Sequence, residues 1–103
     1  MSDIPFISID EFDGTNGFVK TKAFVNWEVD LNAHQPRQKV VLGDSEAGDV
    51  TLPCVVYTGD IDLEPGCGYY FGGVDYEWES GEQIQLCLGT NSWATKFHDP
   101  AES

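Results

Sequence analysis

Residues 18–29 read FVKTKAFVNWEV and alternate along their whole length. Val19, Thr21, Ala23, Val25, Trp27 and Val29 fall on one side, and Phe18, Lys20, Lys22, Phe24, Asn26 and Glu28 on the other. A period of two sustained this far is a strand pattern, because a helix would return its apolar positions every three or four residues. The run is about twice the usual strand length. Such a strand suits a small barrel, where one coiled strand can serve both halves of the sheet. One face is then core, and the other interleaves cations with an aromatic ring.

The remaining segments extend this reading. Gln38 to Leu42 is expected to form a second strand, 44–48 a hairpin turn, and 49–57 (DVTLPCVVY) a third strand. Val50, Leu52, Cys54 and Val56 then face inward, with Thr51, Pro53, Val55 and Tyr57 outward. Pro53 has no N–H to donate, which predicts an edge position or a bulge. Residues 58–66 are too short for more than a turn, with Leu63 tucked inward. A fourth strand is predicted from Gly68 to Tyr76, bent at Gly72-Gly73, then a loop carrying Trp78. The fifth strand, Gln83 to Leu88, points Ile84, Leu86 and Leu88 inward. Residues 89–97 are expected to close the barrel, with Trp27 and Trp93 in its core or lid. Residues 1–17 form an entry segment over one barrel end, and 98–103 a fraying tail. The fold class is therefore all-β, a five-stranded Greek-key barrel.

A chain of 103 residues can build one modest core. Its charge is unusual: five Lys and Arg stand against 18 Asp and Glu, for a net charge of −13. Four of the five cations lie in residues 18–43, which carry a net +2 against −15 for the rest. Acid-rich, lysine-poor surfaces stay hydrated when salt screens ordinary charge effects, so the expected source is a salt-loving archaeon or its virus. No basic leader or long apolar run is present, which predicts a cytoplasmic protein without a membrane partner. Cys54, Cys67 and Cys87 show no C-x-x-C spacing and read as reduced thiols, with no metal or other cofactor. Nucleophile elbows, phosphate loops and metal-binding helix motifs are lacking, so the expectation is a binding protein rather than an enzyme.

Three stretches carry a family resemblance: QKVVLGDSEAGDVTLPCVVY at 38–57, LEPGCGYYFGGV at 63–74, and WESGEQIQLCLGTNS at 78–92. In order and spacing they resemble the OB-fold domains of archaeal replication protein A, a single-stranded DNA-binding family. The resemblance covers residues 18–97. It implies an OB barrel that binds single-stranded DNA without sequence preference, as replication, repair or recombination require. It departs at Val55, where the family usually places a Trp, and at Thr90-Asn91-Ser92, where a basic residue is usual. Single-strand binding needs ring faces for bases and cations for phosphates. The outward candidates are Phe24, Tyr57, Tyr76 and Trp78 as platforms, with Lys20, Lys22, Arg37 and Lys39 along the backbone. The expected location is the outer surface of the second and third strands. RNA remains open beside DNA, as does self-association or a larger OB-fold partner. The alternative reading is an acidic protein-interaction subunit of a replication protein A-type complex.

Overall fold

The chain passes a short 3-10 turn at Ile9–Glu11 and enters β1 (Gly17–Val29), the longest strand. There follow β2 (Gln38–Gly43), β3 (Thr51–Val56), β4 (Gly68–Trp78), β5 (Gln83–Leu88) and β6 (Trp93–His98). The computed structural model describes residues 4–29, 37–44, 50–78 and 83–100, with Trp78 by its backbone alone. Most of the expected turn at 44–48 lies outside the described residues.

β1 does what its length implies. Gly17 to Phe24 pairs antiparallel with β4, and Phe24 to Val29 pairs antiparallel with β2. β2 pairs with β3, β3 runs parallel to β5, and β5 returns antiparallel to β4. The ring β1–β2–β3–β5–β4–β1 closes on itself, giving the five-stranded Greek-key OB barrel expected. Pro53 pairs with Val41 in the part of β3 that precedes its pairing with β5, so the missing N–H falls on an edge.

Three expectations are corrected. Residues 89–97 do not close the barrel. β1–β4 and β3–β5 close it, and β6 lies beyond β5 on the same side of β4, from Gly72↔Trp93 to Gly68↔His98. The cause is length: β4 has 11 residues and β5 only six, so β5 covers Val74–Trp78 and leaves the first half of β4 to β6. Second, Gly72 and Gly73 carry no bulge toward β1, which pairs through them without a register shift. They serve close approach instead. A Cβ on Gly73 would stand 2.7 Å from Leu88 Cδ2, and one on Gly72 would run into the Trp93 indole.

Third, Trp27 is not in the core; it is 52% exposed. Val25 pairs with Leu42 and Trp27 with Val41, which leaves Asn26 as an extra residue in β1. This bulge reverses the alternation behind it and turns Trp27 outward beside Val41 and Pro53. Trp27→Ala should therefore change stability by less than about 0.5 kcal/mol. Truncation of a core Trp would cost about 3–5 kcal/mol. Urea unfolding monitored by circular dichroism separates the two.

The core cluster follows the predicted alternation elsewhere, while Val55, expected outward, is buried at 3% exposure outside that cluster. Val19, Ala23 and Val25 meet Val40, Leu42, Leu52, Cys54, Val56, Phe71, Leu86 and Leu88, all buried. Ile9 and Phe12 bring the entry segment into this core, and Leu63 tucks in from the β3–β4 link. Side-chain hydrogen bonds hold that link in place of a helix. The Gln38 amide donates to the Leu63 carbonyl (2.7 Å) and accepts from the Leu63 N–H (3.0 Å), in the manner of a strand partner.

Candidate nucleic-acid interface

The outer face of β1 presents Lys20, Lys22 and Phe24, whose partners across β4 are Gly72, Tyr70 and Gly68. On the far side of β4, β6 contributes Trp93 opposite Gly72 and Thr95 opposite Tyr70. Phe97 sits at a register shift and reaches Gly68, where a Cβ would stand 2.7 Å from its Cζ. The two glycines thus let rings lie down on the sheet: the Trp93 indole covers Gly72, and Phe97 and Phe24 cover Gly68. The entry segment completes the row. It binds the free edge of β1 through Lys20 N–H to the Pro5 carbonyl (2.8 Å) and Ile7 N–H to the Lys20 carbonyl (2.9 Å). Phe6 is thereby set against Tyr70, ring centroids 6.5 Å apart.

The rings support one another. Phe97 stands 5.5 Å from Phe24 and 5.0 Å from Tyr70, and Phe24 is 5.8 Å from His98, centroid to centroid. Phe24 is half-buried in this arrangement and props Phe97, whereas Phe6, Tyr70, Trp93 and Phe97 keep exposed surface. The Lys22 ammonium lies 4.7 Å from the Phe97 centroid and 5.8 Å from that of Tyr70, a cation held over two ring faces.

Charge sorts the cations. The Arg37 guanidinium is tied to the β3–β4 link, donating to the carbonyls of Thr58 and Ile61 and pairing with Asp62. Lys96 pairs with Glu64 and Asp99, each at 3.1 Å. The Glu64 and Asp99 hydrogen bonds hold its ammonium pKa above the ordinary lysine value. Glu64, Cys67 and Asp99 bring their ligand atoms within 4.8 Å of one another, but Lys96 already supplies the positive charge between the two carboxylates. Among the described residues, Lys20, Lys22 and Lys39 have no carboxylate within ion-pair distance. Two of these three stand in the aromatic row of β1, β4 and β6.

The other predicted residues gather elsewhere. Lys39 lies on β2 between Val29 and Val55, facing outward. Tyr57 follows β3, its N–H donating to the Leu88 carbonyl at 2.9 Å. Burial, and then the neighbouring Cys87 and Tyr76, push its phenol pKa up. Tyr57 and Tyr76 are 46% and 43% exposed. Trp78 ends β4 opposite Gln83, so it belongs to a strand rather than a loop; its side chain lies outside the described residues.

The predicted set therefore divides. Lys20, Lys22 and Phe24 occupy the β1–β4–β6 face, not the surface of the second and third strands. Lys39, Tyr57 and Tyr76 lie on the β2–β3–β5 side, joined there by Trp27. β4 links the two groups, because Tyr70, Gly72, Val74 and Tyr76 are successive outward positions, with about 20 Å from Tyr70 to Tyr76 at strand rise. Sequence reasoning missed Phe6, Tyr70 and Phe97, and assigned Trp93 to the core or lid. Alternation in β4 already pointed Tyr70 outward. Phe97 carried no such signal, since its place depends on the β6 pairing.

No protein-family profile matches the chain, and no curated protein is significantly similar to it. Among solved structures, the chain is similar to the OB domain of a Methanosarcina mazei protein determined by solution NMR. The two superpose with a TM-score of 0.72 at 19% sequence identity, over 96% of this chain and 89% of that one. The likeness establishes an OB fold.

Proposed function

We propose that this OB barrel is a binding protein, not an enzyme, that holds single-stranded DNA without sequence preference on the β1–β4–β6 face. Lys20 and Lys22 contact phosphates while Tyr70, Trp93 and Phe97 offer ring faces to bases. The observation that carries this reading is the state of the cations. On a chain of net charge −13, Arg37 and Lys96 are neutralised by carboxylates, while Lys20 and Lys22 have no carboxylate partner among the described residues and stand among exposed rings. Phosphates supply the missing counter-charge, and stacking adds about 1–3 kcal/mol per base. The resemblance to replication protein A domains supports the same assignment, as does the general use of OB barrels for oligonucleotides. Tyr76, on the outward row of β4, extends the track toward Tyr57.

Titration of tryptophan fluorescence with oligo-dT tests the proposal. Quenching is expected, with affinity falling as salt rises; neutralising two to three phosphates of a single strand gives a log–log slope of about −1.4 to −2.1. Trp93→Ala should remove most of the quenching and weaken binding by about tenfold or more. Oligo-rU run in parallel distinguishes DNA from RNA preference. A folded protein that binds neither strand at low salt, or a Trp93→Ala variant that quenches as the parent does, would refute the assignment.

A further inference from the structure

The two lysines of this face differ in their surroundings. Lys20 is half-buried in a cross-strand row that runs Phe6, Lys20, Gly72, Trp93. Lys22 is exposed in the next row, opposite Tyr70. Its ammonium lies over the Tyr70 ring at 5.8 Å and over the Phe97 ring at 4.7 Å, centroid distances. Those two rings stand 5.0 Å apart and are 38% and 37% exposed. Phe6 flanks the pair on the Tyr70 side and Phe24 on the Phe97 side. Lys22 has no carboxylate partner among the described residues, so the rings are what hold its charge in place.

Resting on the assignment of a nucleic-acid strand to this face, we propose that Lys22 makes stacking there conditional on a phosphate. A base cannot lie on the ring surface that the ammonium covers, so the lysine must leave as the base arrives. At an exposed site the cation–ring contact favours the covered state by a factor of about two to five. An uncharged aromatic ligand sends the ammonium back to water and forfeits that factor. A phosphodiester strand takes the ammonium onto a phosphate oxygen in a charge-assisted hydrogen bond, which replaces what the rings gave. Lys22 is then a specificity-determining residue. It admits a base that brings its phosphate and disfavours nucleosides and other neutral rings.

The signature is a change of sign. Lys22→Ala takes a phosphate contact away from an ordinary strand, whereas for a neutral strand it uncovers the rings. Affinity should fall in the first case and rise in the second. A lysine that served only as a charge near the strand would lower the first and leave the second as it was.

Oligo-dT and its uncharged methylphosphonate analogue are the two probes, titrated into the full chain and followed by NMR. In the free protein the Lys22 ε-methylene protons should be shifted upfield by the two rings. Saturation with oligo-dT should return them toward the ordinary lysine position. Lys22→Ala should bind the methylphosphonate strand about two- to fivefold more tightly than the parent does. It should bind oligo-dT about threefold or more less tightly. Three results would overturn the inference while leaving the strand on this face. They are ε-methylene protons unshifted in the free protein, a shift that persists in the oligo-dT complex, and methylphosphonate binding no tighter in Lys22→Ala, undetectable binding to both proteins included. A folded protein that shows the free-state shift but binds no oligo-dT would instead overturn the nucleic-acid assignment, and this inference with it.

Discussion

Combining Lys20→Glu with Lys22→Glu should reduce oligo-dT affinity by about a hundredfold or more at low salt, with no loss of folded structure. Both side chains lie on the outer face of β1, so reversing them leaves the buried face of Val19, Thr21, Ala23 and Val25 untouched. The change removes two phosphate partners and puts two carboxylates where the strand's charges would lie. The loss should shrink toward about tenfold in molar salt, because screening removes the Coulomb part and leaves stacking on Tyr70, Trp93 and Phe97. The salt slope should flatten with it, by about 0.7 per lost contact on a single strand. Lys39→Glu, on the β2 side, is the comparison. If it weakens binding as strongly as the double variant does, the strand runs over the second and third strands instead. Fluorescence anisotropy of labelled oligo-dT at several salt concentrations provides the readout.

Asp75→Ala should lower stability by about 3 kcal/mol or more. The side chain is 2% exposed and turned toward the interior of β4. Its carboxylate accepts from the backbone N–H groups of Gly14 (2.8 Å), Asp13 (3.2 Å) and Asn16 (3.2 Å), and from Asn16 Nδ2 (2.7 Å). Gly14 can turn there because it has no side chain: φ is +88°, and a Cβ would come within 2.5 Å of Glu77 Cβ. Alanine leaves the three backbone N–H groups without their acceptor, while Asn16 Nδ2 keeps the Glu11 carbonyl and Asp13 Oδ1, and it loosens the loop that leads the entry segment across the barrel end. Urea unfolding gives the stability change. Limited proteolysis ahead of Gly17 should accelerate, because Ile9 and Phe12 lose the anchor that keeps them in the core. An unchanged unfolding midpoint would mean that apolar packing alone holds the entry segment.

The barrel was legible in the sequence because its signal is local. Alternation in 18–25, 38–42, 50–56 and 83–88 assigns inward and outward faces without knowledge of the partner strands, and the length of β1 points to a strand shared between two halves. The errors arose where pairing, not alternation, decides. Asn26 is an ordinary strand residue until β2 pairs across it with one residue fewer, and the resulting bulge exposes Trp27. Gly72-Gly73 looked like a break because glycine is poor in strands; its use became visible only with Trp93 and Leu88 lying against it. The candidate site was half legible. Lys20 and Lys22 could be set on an outward face from β1 alone, but their companions come from β4, β6 and the entry segment, all distant in sequence. Arg37 looked like a free cation because its partners on the β3–β4 link stand more than twenty residues away.

The ties that hold the connecting segments have a consequence for how the molecule meets its solvent. Asp75 is bound by peptide N–H groups and an amide, and Leu63 by the amide of Gln38; neither contact needs an opposite charge. Ionic strength acts on exposed pairs such as Arg37–Asp62, which add little to folding, on repulsion within the acidic surface, and on the lysines proposed to meet phosphates. If the barrel holds a phosphate chain as proposed, electrolyte serves as a dial on occupancy, loosening that grip while the uncharged ties of the connecting segments stay as they were.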